Sequence, residues 1–312
     1  MQTTITNDSK IAADFIKSGE VAAFPTETVY GLGADAYNEK AVRKIFKAKG
    51  RPADNPLIVH VDKKKDISVL AKEITPSAKK IISKFFPGPV TVILKKNEIV
   101  PDVVTAGLDT IAIRMPASKI ARELIRLSGV PIAAPSANLS GSPSPTNFLH
   151  VLRDMKGKIP CLLIGPAAKY GLESTVIDCT GKFPVILRPG SVTLEQIKKL
   201  DKNAVYQKNA RKIKSPGQKY RHYSPKAKVK FVKRETSNVK RSKEAYIGLN
   251  KKFAKGFETV KVCRSVEDYA KNLFSFFRQC DELGIKTIYC EKIPEKGIGT
   301  AVMNRLNKAI IN

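Results

Sequence analysis

The sequence has no tryptophan, three histidines and five cysteines among its 312 residues. The cysteines lie far apart, form no CxxC pair and fall in or beside apolar stretches, so we expect buried thiols rather than zinc ligands or disulfides. The HExxH, GxSxG and GxxxxGK[ST] motifs are absent too, so the usual parts of zinc hydrolases, serine hydrolases and P-loop NTPases are missing. Any reaction must therefore rely on positioning and electrostatics.

Long apolar runs are also missing. No stretch approaches the roughly 20 apolar residues that a membrane helix needs, and the first ten residues, MQTTITNDSK, contain no basic segment followed by an apolar run. We therefore expect a cytoplasmic protein with no membrane contact.

Acidic residues are scarce relative to basic ones, with 28 Asp+Glu against 56 Lys+Arg and a formal net charge of +28. Such a charge creates a positive field that attracts nucleotides and nucleic acids. A lysine-rich composition without a specific partner explains it equally well, because the excess is spread along the whole chain. Charge alone therefore does not identify a partner.

The chain length predicts two domains, since a single core usually serves roughly 100–200 residues. Short β-branched runs bounded by Pro or Gly predict strands at 21–24, 56–61, 90–94, 110–115, 161–165, 174–179 and 184–188. Helical periodicity predicts helices at 39–50, near 76–86 and at 119–128. Because the last strands follow one another without helices, we predict an α/β domain over residues 1–200 with a twisted, mixed sheet flanked by helices.

Residues 201–226 are basic and poor in apolar residues, and we interpret them as a linker. A second alternation of strand-like and helix-like segments follows this linker. Strand-like runs resume after it, with a helix starting after Ser265, where the residues match a capping box. Residues 227–312 therefore predict a small, Rossmann-like, three-layer α/β domain.

The segment PTETVYGLGADA (25–36) directly follows a predicted strand and contains a GxGxxA pattern at Gly31 and Gly33. Six residues separate the strand from the first glycine, so a dinucleotide-binding turn is disfavoured and we expect the glycines to shape a loop. A plain capped turn would use similar residues. The alternative is that hydroxyl and carboxylate groups here hold a small polar substrate: Thr26, Glu27, Thr28 and Tyr30.

The string KAKGRPADNP brings Lys47, Lys49 and Arg51 from the end of a helix into a proline-fixed loop. Cations gathered there suit a triphosphate, with Arg51 able to bind two phosphate oxygens and Lys49 acting as a point charge. Cations also collect at helix C-termini to complement the helix dipole, so the string alone is ambiguous.

Three further segments supply polar groups. In PSANLSGSPSPT, Ser136 and Asn138 occupy alternate positions and face the same side of an extended backbone, forming a neutral hydrogen-bonding wall or a plain Ser/Pro loop. Arg188 ends a strand before Pro189, and Tyr223 lies in the basic, aromatic linker. That linker serves either as a lid over a bound nucleotide or as a strap between domains.

Taken together, these strings resemble the threonylcarbamoyl-AMP synthase family in its two-domain form, with a YrdC-like catalytic domain. The resemblance covers the chain from about Ile11 to its C-terminus. Its most specific strings are PTETVYGLG, KGRPADNPLIVH, AGLDTIAIRMP, PSANLSGSPSPT, GLESTVID and SPGQKYRHYSP.

The resemblance implies a binding role for particular residues. For L-threonine it implies Thr28, His60, Arg114 and Ser174, with Arg114 as partner of the carboxylate. For ATP it implies Lys49, Arg51, Asn55, Thr110, Ser136, Asn138, Ser144, Arg188 and Tyr223. Lys49 and Arg51 are the implied catalytic residues, and no protein-held metal is implied.

The implied reaction joins L-threonine, bicarbonate and ATP into threonylcarbamoyl-AMP with release of pyrophosphate, and Mg²⁺ arrives with ATP. The product would pass to a separate transferase that modifies tRNA. The alternative is a double-stranded RNA or tRNA binding protein without catalysis, which would use the same basic groove. A carbamoyl-transfer domain of hydrogenase maturation is a third possibility, but its acylphosphatase and zinc-finger-like segments are absent from this sequence.

Overall fold

The computed structural model describes residues 1–207, 223–232 and 241–310. The strands are β1 (Thr4–Thr6), β2 (Ala22–Phe24), β3 (Gly31–Asp35), β4 (Ile58–His60), β5 (Val90–Lys95), β6 (Thr110–Arg114), β7 (Ile132–Ala134), β8 (Cys161–Leu163), β9 (Thr175–Asp178), β10 (Val185–Arg188), β11 (Val205–Tyr206), β12 (Lys228–Phe231), β13 (Arg241–Gly248), β14 (Phe257–Val262) and β15 (Thr287–Cys290). The α-helices are α1 (Ser9–Lys17), α2 (Glu39–Lys49), α3 (Asp66–Leu70), α4 (Pro76–Phe85), α5 (Asp102–Thr105), α6 (Lys119–Ser128), α7 (Phe148–Met155), α8 (Leu194–Lys198), α9 (Val266–Glu282) and α10 (Gly299–Ile310). A short 3-10 helix spans Lys251–Ala254.

Most strands join one large mixed sheet in the order β1-β8-β2-β3-β7-β4-β6-β5-β9-β10-β11. The pairs β4/β6 and β5/β9 are parallel, whereas β4/β7 and β9/β10 are antiparallel. The mixed α/β class predicted from the sequence is confirmed. The sheet continues to β11, past residue 200, and the predicted domain boundaries stay a prediction.

Local capping explains why the predicted helices form where they do. In α2, the Asn38 side chain accepts a hydrogen bond from the Ala41 amide, and Gly50 ends the helix at a left-handed φ of 58°. In α6, Ser118 caps the first turn and Gly129 ends the helix at φ 73°. The helix predicted at 119–128 therefore matches α6.

The expectation that Gly31 and Gly33 shape a loop is wrong. Both glycines lie in β3, which pairs antiparallel with β2. A Cβ atom on Gly33 would lie 2.4 Å from the Ile132 side chain and 2.8 Å from the Phe24 ring. The glycines therefore allow close packing across the sheet.

The C-terminal unit, formed by β12 to α10, has its own parallel sheet in the order β12-β15-β13-β14. Its core holds large apolar side chains from α9 and α10, among them Tyr269, Phe274, Phe277 and Leu306. At the start of α9, Ser265 accepts from the Asp268 amide at 3.2 Å. The Asp268 carboxylate accepts from the Arg264 amide instead of the Ser265 amide, so the predicted capping box forms one residue out of register.

The five cysteines are buried free thiols, in agreement with the sequence analysis. Within residues 1–207, 223–232 and 241–310, no helix combines the length and apolarity needed to cross a bilayer.

Candidate active site

A cavity opens on one face of the large sheet and encloses about 660 Å³, including space open to solvent. Its walls come from the segment before β3, from β4, β6 and β10, and from the loops after β7 and before β9. The described lining residues are Thr26, Thr28, Val29, Tyr30, Gly31, Arg51, Ile58, His60, Arg114, Ala134, Pro135, Ser136, Asn138, Ser142, Ser144, Glu173, Ser174, Arg188 and Tyr223.

Most of the residues named from the sequence meet in this cavity. Those that line it are Thr28, Arg51, His60, Arg114, Ser136, Asn138, Ser144, Ser174, Arg188 and Tyr223. The structure places Lys49, Asn55 and Thr110 outside the lining.

Arg114 ends β6 and is fixed by the segment before β3. One terminal nitrogen donates to the Thr28 hydroxyl at 2.8 Å, and the other donates to the Glu27 carboxylate at 2.6 Å. Burial would raise the pKa of Glu27, but the adjacent Arg114 guanidinium outweighs it and holds that pKa below its usual value. Glu27 therefore stays ionised and orients Arg114 rather than lining the cavity itself.

His60 ends β4 directly beside Arg114, its register partner on β6. Its ring packs edge-on against Phe24, with 6.0 Å between ring centroids. Burial, followed by the positive charge of Arg114, lowers the pKa of His60 to about 3. The imidazole is therefore neutral near pH 7 and offers a hydrogen-bonding edge without charge.

Arg188 reaches the cavity from the end of β10 and is held by Ser174. Its Nε donates to the Ser174 carbonyl and a terminal nitrogen donates to the Ser174 hydroxyl, both at 3.1 Å. The same hydroxyl contacts Thr91 at 2.8 Å. These contacts fix a buried cation beside the position predicted for L-threonine.

Arg51 follows the left-handed Gly50 and lines the cavity from the loop after α2. A terminal nitrogen donates to the carbonyl oxygens of Asn55 at 3.1 Å and Pro56 at 3.3 Å. The prolines on either side of this short loop limit its freedom, as the sequence analysis expected.

The role of Lys49 as a point charge on phosphate stays a prediction, and in this structure its ammonium binds backbone carbonyls. Its side chain is 2% exposed, and the ammonium donates to the carbonyl oxygens of Ser136 at 2.6 Å and Asn138 at 2.5 Å. Burial, followed by the charge of Arg51, lowers its pKa well below the ordinary lysine value. Lys49 therefore supports the 136–138 segment from behind the cavity wall.

Asn55 and Thr110, which lie outside the cavity lining, differ in whether their positions suit a ligand contact. Asn55 is 1% exposed, and within the described parts of the chain neither side-chain atom of its amide has a hydrogen-bond partner. A buried amide without partners is costly, so this side chain is poised for an added polar group. Thr110 starts β6 and shares a sheet face with Arg114, but four residues place it roughly 13 Å away along the strand.

Ser136 and Asn138 both line the cavity and are hydrogen-bonded to each other and to their own loop. The Ser136 hydroxyl donates to the Asn138 side-chain oxygen at 2.5 Å, and the Asn138 amide donates to the carbonyls of Leu139 and Ser142. Ser144, further along this loop, donates its hydroxyl to the Glu173 carboxylate.

Tyr223 lines the cavity, but its ring is already packed. It stacks on Phe274 of α9 with 5.3 Å between centroids, and the Arg305 guanidinium carbon lies 5.2 Å from its centroid. Its side chain also hydrogen-bonds with Arg188. The other linker residues predicted to form a lid, from 208 to 222, lie outside the described residues.

Sequence reasoning named Glu27 only as a possible substrate contact, and it missed Glu173 and Arg305 as parts of this site. Glu27 orients Arg114, Glu173 lines the cavity, and Arg305 of α10 pairs with Glu173. Both acids stand in the quoted motifs, so the signal was present for them. For Arg305, the signal was a basic residue on the same helical face as Val302, Leu306 and Ala309.

The cavity has the charge of an anion-binding site. The described lining residues include three guanidinium groups, of Arg51, Arg114 and Arg188, and a single carboxylate, of Glu173. No group of three or more His, Cys, Asp or Glu side chains that could hold a metal ion occurs in the part of the chain that the structure describes. The lining can therefore bind anionic groups through its guanidinium groups and a neutral portion through its hydroxyl and amide groups.

Comparisons with known proteins cover both units. The family described as "Telomere recombination" matches residues 14–190, and the family described as "Threonylcarbamoyl-AMP synthase, C-terminal domain" matches residues 192–310. Threonylcarbamoyl-AMP synthase from Pyrococcus abyssi is 49% identical, with 96% of this chain and 93% of that protein covered. The enzyme of the same name from Bacillus subtilis is 43% identical, with coverage of 97% and 94%.

Solved structures agree with these matches. The crystal structure of P. abyssi Sua5 complexed with L-threonine has a TM-score of 0.91 and 46% identity, covering 99% of this chain and 98% of that one. The structure of E. coli YciO, at 22% identity and a TM-score of 0.56, shares the fold over 63% of this chain. The chain therefore belongs to the threonylcarbamoyl-AMP synthase family.

Proposed function

We propose that this protein condenses L-threonine, bicarbonate and ATP into threonylcarbamoyl-AMP, with release of pyrophosphate and water. The observation that carries the proposal is the convergence of Arg51, Arg114 and Arg188, from three separate segments, on one cavity. Membership of the family supports the same reaction, as does the L-threonine bound to the P. abyssi relative.

L-threonine is proposed to lie between β4, β6 and β9. There Arg114 would receive its carboxylate, and Thr28, neutral His60 and Ser174 would bind its polar groups. The Glu27 contact matters here because it fixes the direction of the Arg114 guanidinium before the substrate arrives.

ATP is proposed to occupy the rest of the cavity. Its contacts would come from Arg51, Asn55, Ser136, Asn138, Ser144, Arg188 and Tyr223. Lys49 is proposed to act through the backbone of Ser136 and Asn138, which it supports. A contact with Thr110 stays a prediction of the family resemblance.

The chemistry requires no covalent enzyme intermediate. The threonine amine attacks carbon dioxide derived from bicarbonate, and a carbamate oxygen then attacks the α-phosphorus while the bond to pyrophosphate breaks. The arginines hold two anions together and spread the charge that develops on the phosphoryl group. An enclosed cavity also protects the mixed anhydride from water.

Mg²⁺ is proposed to enter with ATP and to be held mainly by phosphates and water. Glu173, the carboxylate among the described lining residues, is already paired with Arg305. A separate transferase that passes the product to tRNA, direct tRNA contact and a cytoplasmic location are further proposals.

The alternative of an RNA-binding protein without catalysis fits the cavity less well. A protein that tracks phosphates needs an extended basic surface, whereas the buried Arg114 and Arg188 line a single cavity.

The test is threonine-dependent release of pyrophosphate by the purified protein with ATP, Mg²⁺ and bicarbonate. We expect release with L-threonine, little with L-serine and none without an amino acid. Equal release with and without threonine would refute the proposed function, even if the protein bound RNA tightly.

A further inference from the structure

The C-terminal unit contacts the cavity through two buried arginines. Arg278 of α9 donates to the Pro143 carbonyl at 3.1 Å and pairs with Asp154 at 2.7 Å. Arg305 of α10 donates through Nε to Glu173 at 2.9 Å and through a terminal nitrogen to the Pro189 carbonyl at 3.0 Å. Each arginine thus binds a segment that carries cavity-lining residues.

The segment around Glu173 packs directly on this unit. Leu172 belongs to the hydrophobic core that α9 and α10 build. Gly171 lies so near α9 that a Cβ atom there would fall 2.3 Å from the Lys271 carbonyl oxygen. Tyr223 joins the same core through Phe274. One face of the segment 171–173 therefore belongs to the C-terminal unit, while Glu173 faces the cavity.

Glu173 would work against the proposed ligand if it were unpaired. It is the carboxylate among the described cavity-lining residues, and a free negative charge there would repel a triphosphate and attract Arg188. Arg305 is fully buried, at 0% exposure, and its contact with Glu173 crosses between the two units. Its charge therefore offsets Glu173 without occupying the cavity.

We propose that the C-terminal unit positions the nucleotide wall of the cavity, and that Arg305 is a positioning residue whose charge neutralises Glu173 so that Arg188 stays directed at the ligand. This rests on the ATP-binding part of the proposed function. It assigns the C-terminal unit a role within the catalytic site itself, through Arg305 on Glu173 and Arg278 on the loop of Ser144.

The test measures the dissociation constant of Mg²⁺-ATP by titration calorimetry, without threonine or bicarbonate, for four variants of the full chain. They are Arg305→Met, Glu173→Gln, the double variant and Arg43→Met. The last removes an exposed arginine that pairs with Glu39 on α2, so it controls for loss of a surface charge.

We expect Arg305→Met to weaken ATP binding about tenfold or more, because it leaves a buried carboxylate unpaired. The double variant should bind ATP within about threefold of the wild type, because it removes both buried charges, and Arg43→Met should match the wild type. Glu173→Gln alone completes the double-mutant cycle. In turnover assays Arg305→Met should mainly raise the KM for ATP, and the double variant should restore that KM.

A double variant as weak as Arg305→Met would overturn the proposal, as would Arg305→Met binding like the wild type. If Arg305→Met does not fold, the double variant, which removes both charges of the pair, decides: ATP affinity near that of the wild type supports the proposal and a tenfold loss refutes it. Wild-type protein that binds ATP without threonine-dependent pyrophosphate release would refute the proposed reaction and leave this test valid.

Discussion

Each cavity arginine is held by a neighbour that sets its direction. Arg114 is held by Glu27, Arg188 by Ser174, and Arg51 by the carbonyls of its own loop. Ordering these side chains before substrate arrives lowers the entropy that binding must overcome. Some residues of the site therefore line the cavity, and others hold those residues in place.

Lys49 and Arg51 should respond differently to substitution. Lys49→Met leaves two buried carbonyls unpaired, so we expect a loss of about 2–4 kcal/mol in the free energy of unfolding along with lower turnover. Arg51→Ala should lower turnover about a hundredfold while changing the free energy of unfolding by about 1 kcal/mol. Denaturant unfolding and pyrophosphate release measure both. If Lys49→Met kept wild-type stability while abolishing turnover, Lys49 would instead contact the substrate directly.

A substitution of Asn55 should raise stability, whereas Lys49→Met should lower it. Asn55→Leu removes a buried amide that has no partner among the described residues, so the free protein should gain about 1 kcal/mol of stability while ATP affinity falls about tenfold. Thermal unfolding with and without ATP measures both effects. Unchanged ATP affinity would show that Asn55 does not contact the nucleotide.

His60 should make stability depend on pH. Its folded pKa of about 3 lies below the ordinary value of 6.5, so the unfolded chain binds the proton more readily and stability falls as pH drops below 6.5. Between pH 7.5 and 5.5, the wild type should lose about 1.4 kcal/mol more than His60→Gln. His150, whose pKa is lowered to about 4, contributes the same pH dependence to the wild type and to His60→Gln, so it cancels in the comparison. Equal losses in urea unfolding at the two pH values would contradict a buried, neutral His60.

Elements with strong local signals were predictable from the sequence. The capped α2 and α6 match their predictions, as do strands β5 and β9 within a residue or two. The role of β3 was missed because its glycines are typical of loops, and their strand conformation depends on packing by Phe24 and Ile132. Such packing joins distant segments, so local pattern cannot reveal it.

The turn before β9 gives a prediction for an element contact. Gly171 has φ +72° and lies against the Lys271 backbone, so Gly171→Ala should cost about 2 kcal/mol or more and also weaken ATP binding. Gly284→Ala is the matched control, because Gly284 also has a left-handed φ, +67°, but no atom of the described residues lies within 4 Å of an added Cβ, so it should cost about 1 kcal/mol. Equal effects of the two substitutions on melting temperature would show that the contact with α9 carries no energy.

Over the whole molecule, the motifs predicted most of the cavity because each supplies residues to the same sheet face. Arg114, Arg188 and Ser136 are distant in the chain, and the order of strands brings them together. Arg305 could not be assigned to the site from sequence, because its contact depends on how the C-terminal unit packs on the segment of Glu173. The site therefore depends on the packing of the C-terminal unit against the large-sheet unit as well as on the motifs.

The most direct measurement follows the carbon of bicarbonate into the product. The protein is incubated with ATP, Mg²⁺, L-threonine and ¹³C-bicarbonate, and the adenylates are analysed by mass spectrometry. The account predicts threonylcarbamoyl-AMP that carries one ¹³C in its carbamoyl group and forms in step with pyrophosphate. Pyrophosphate release without a labelled adenylate, or a product that forms in the absence of threonine, would contradict it.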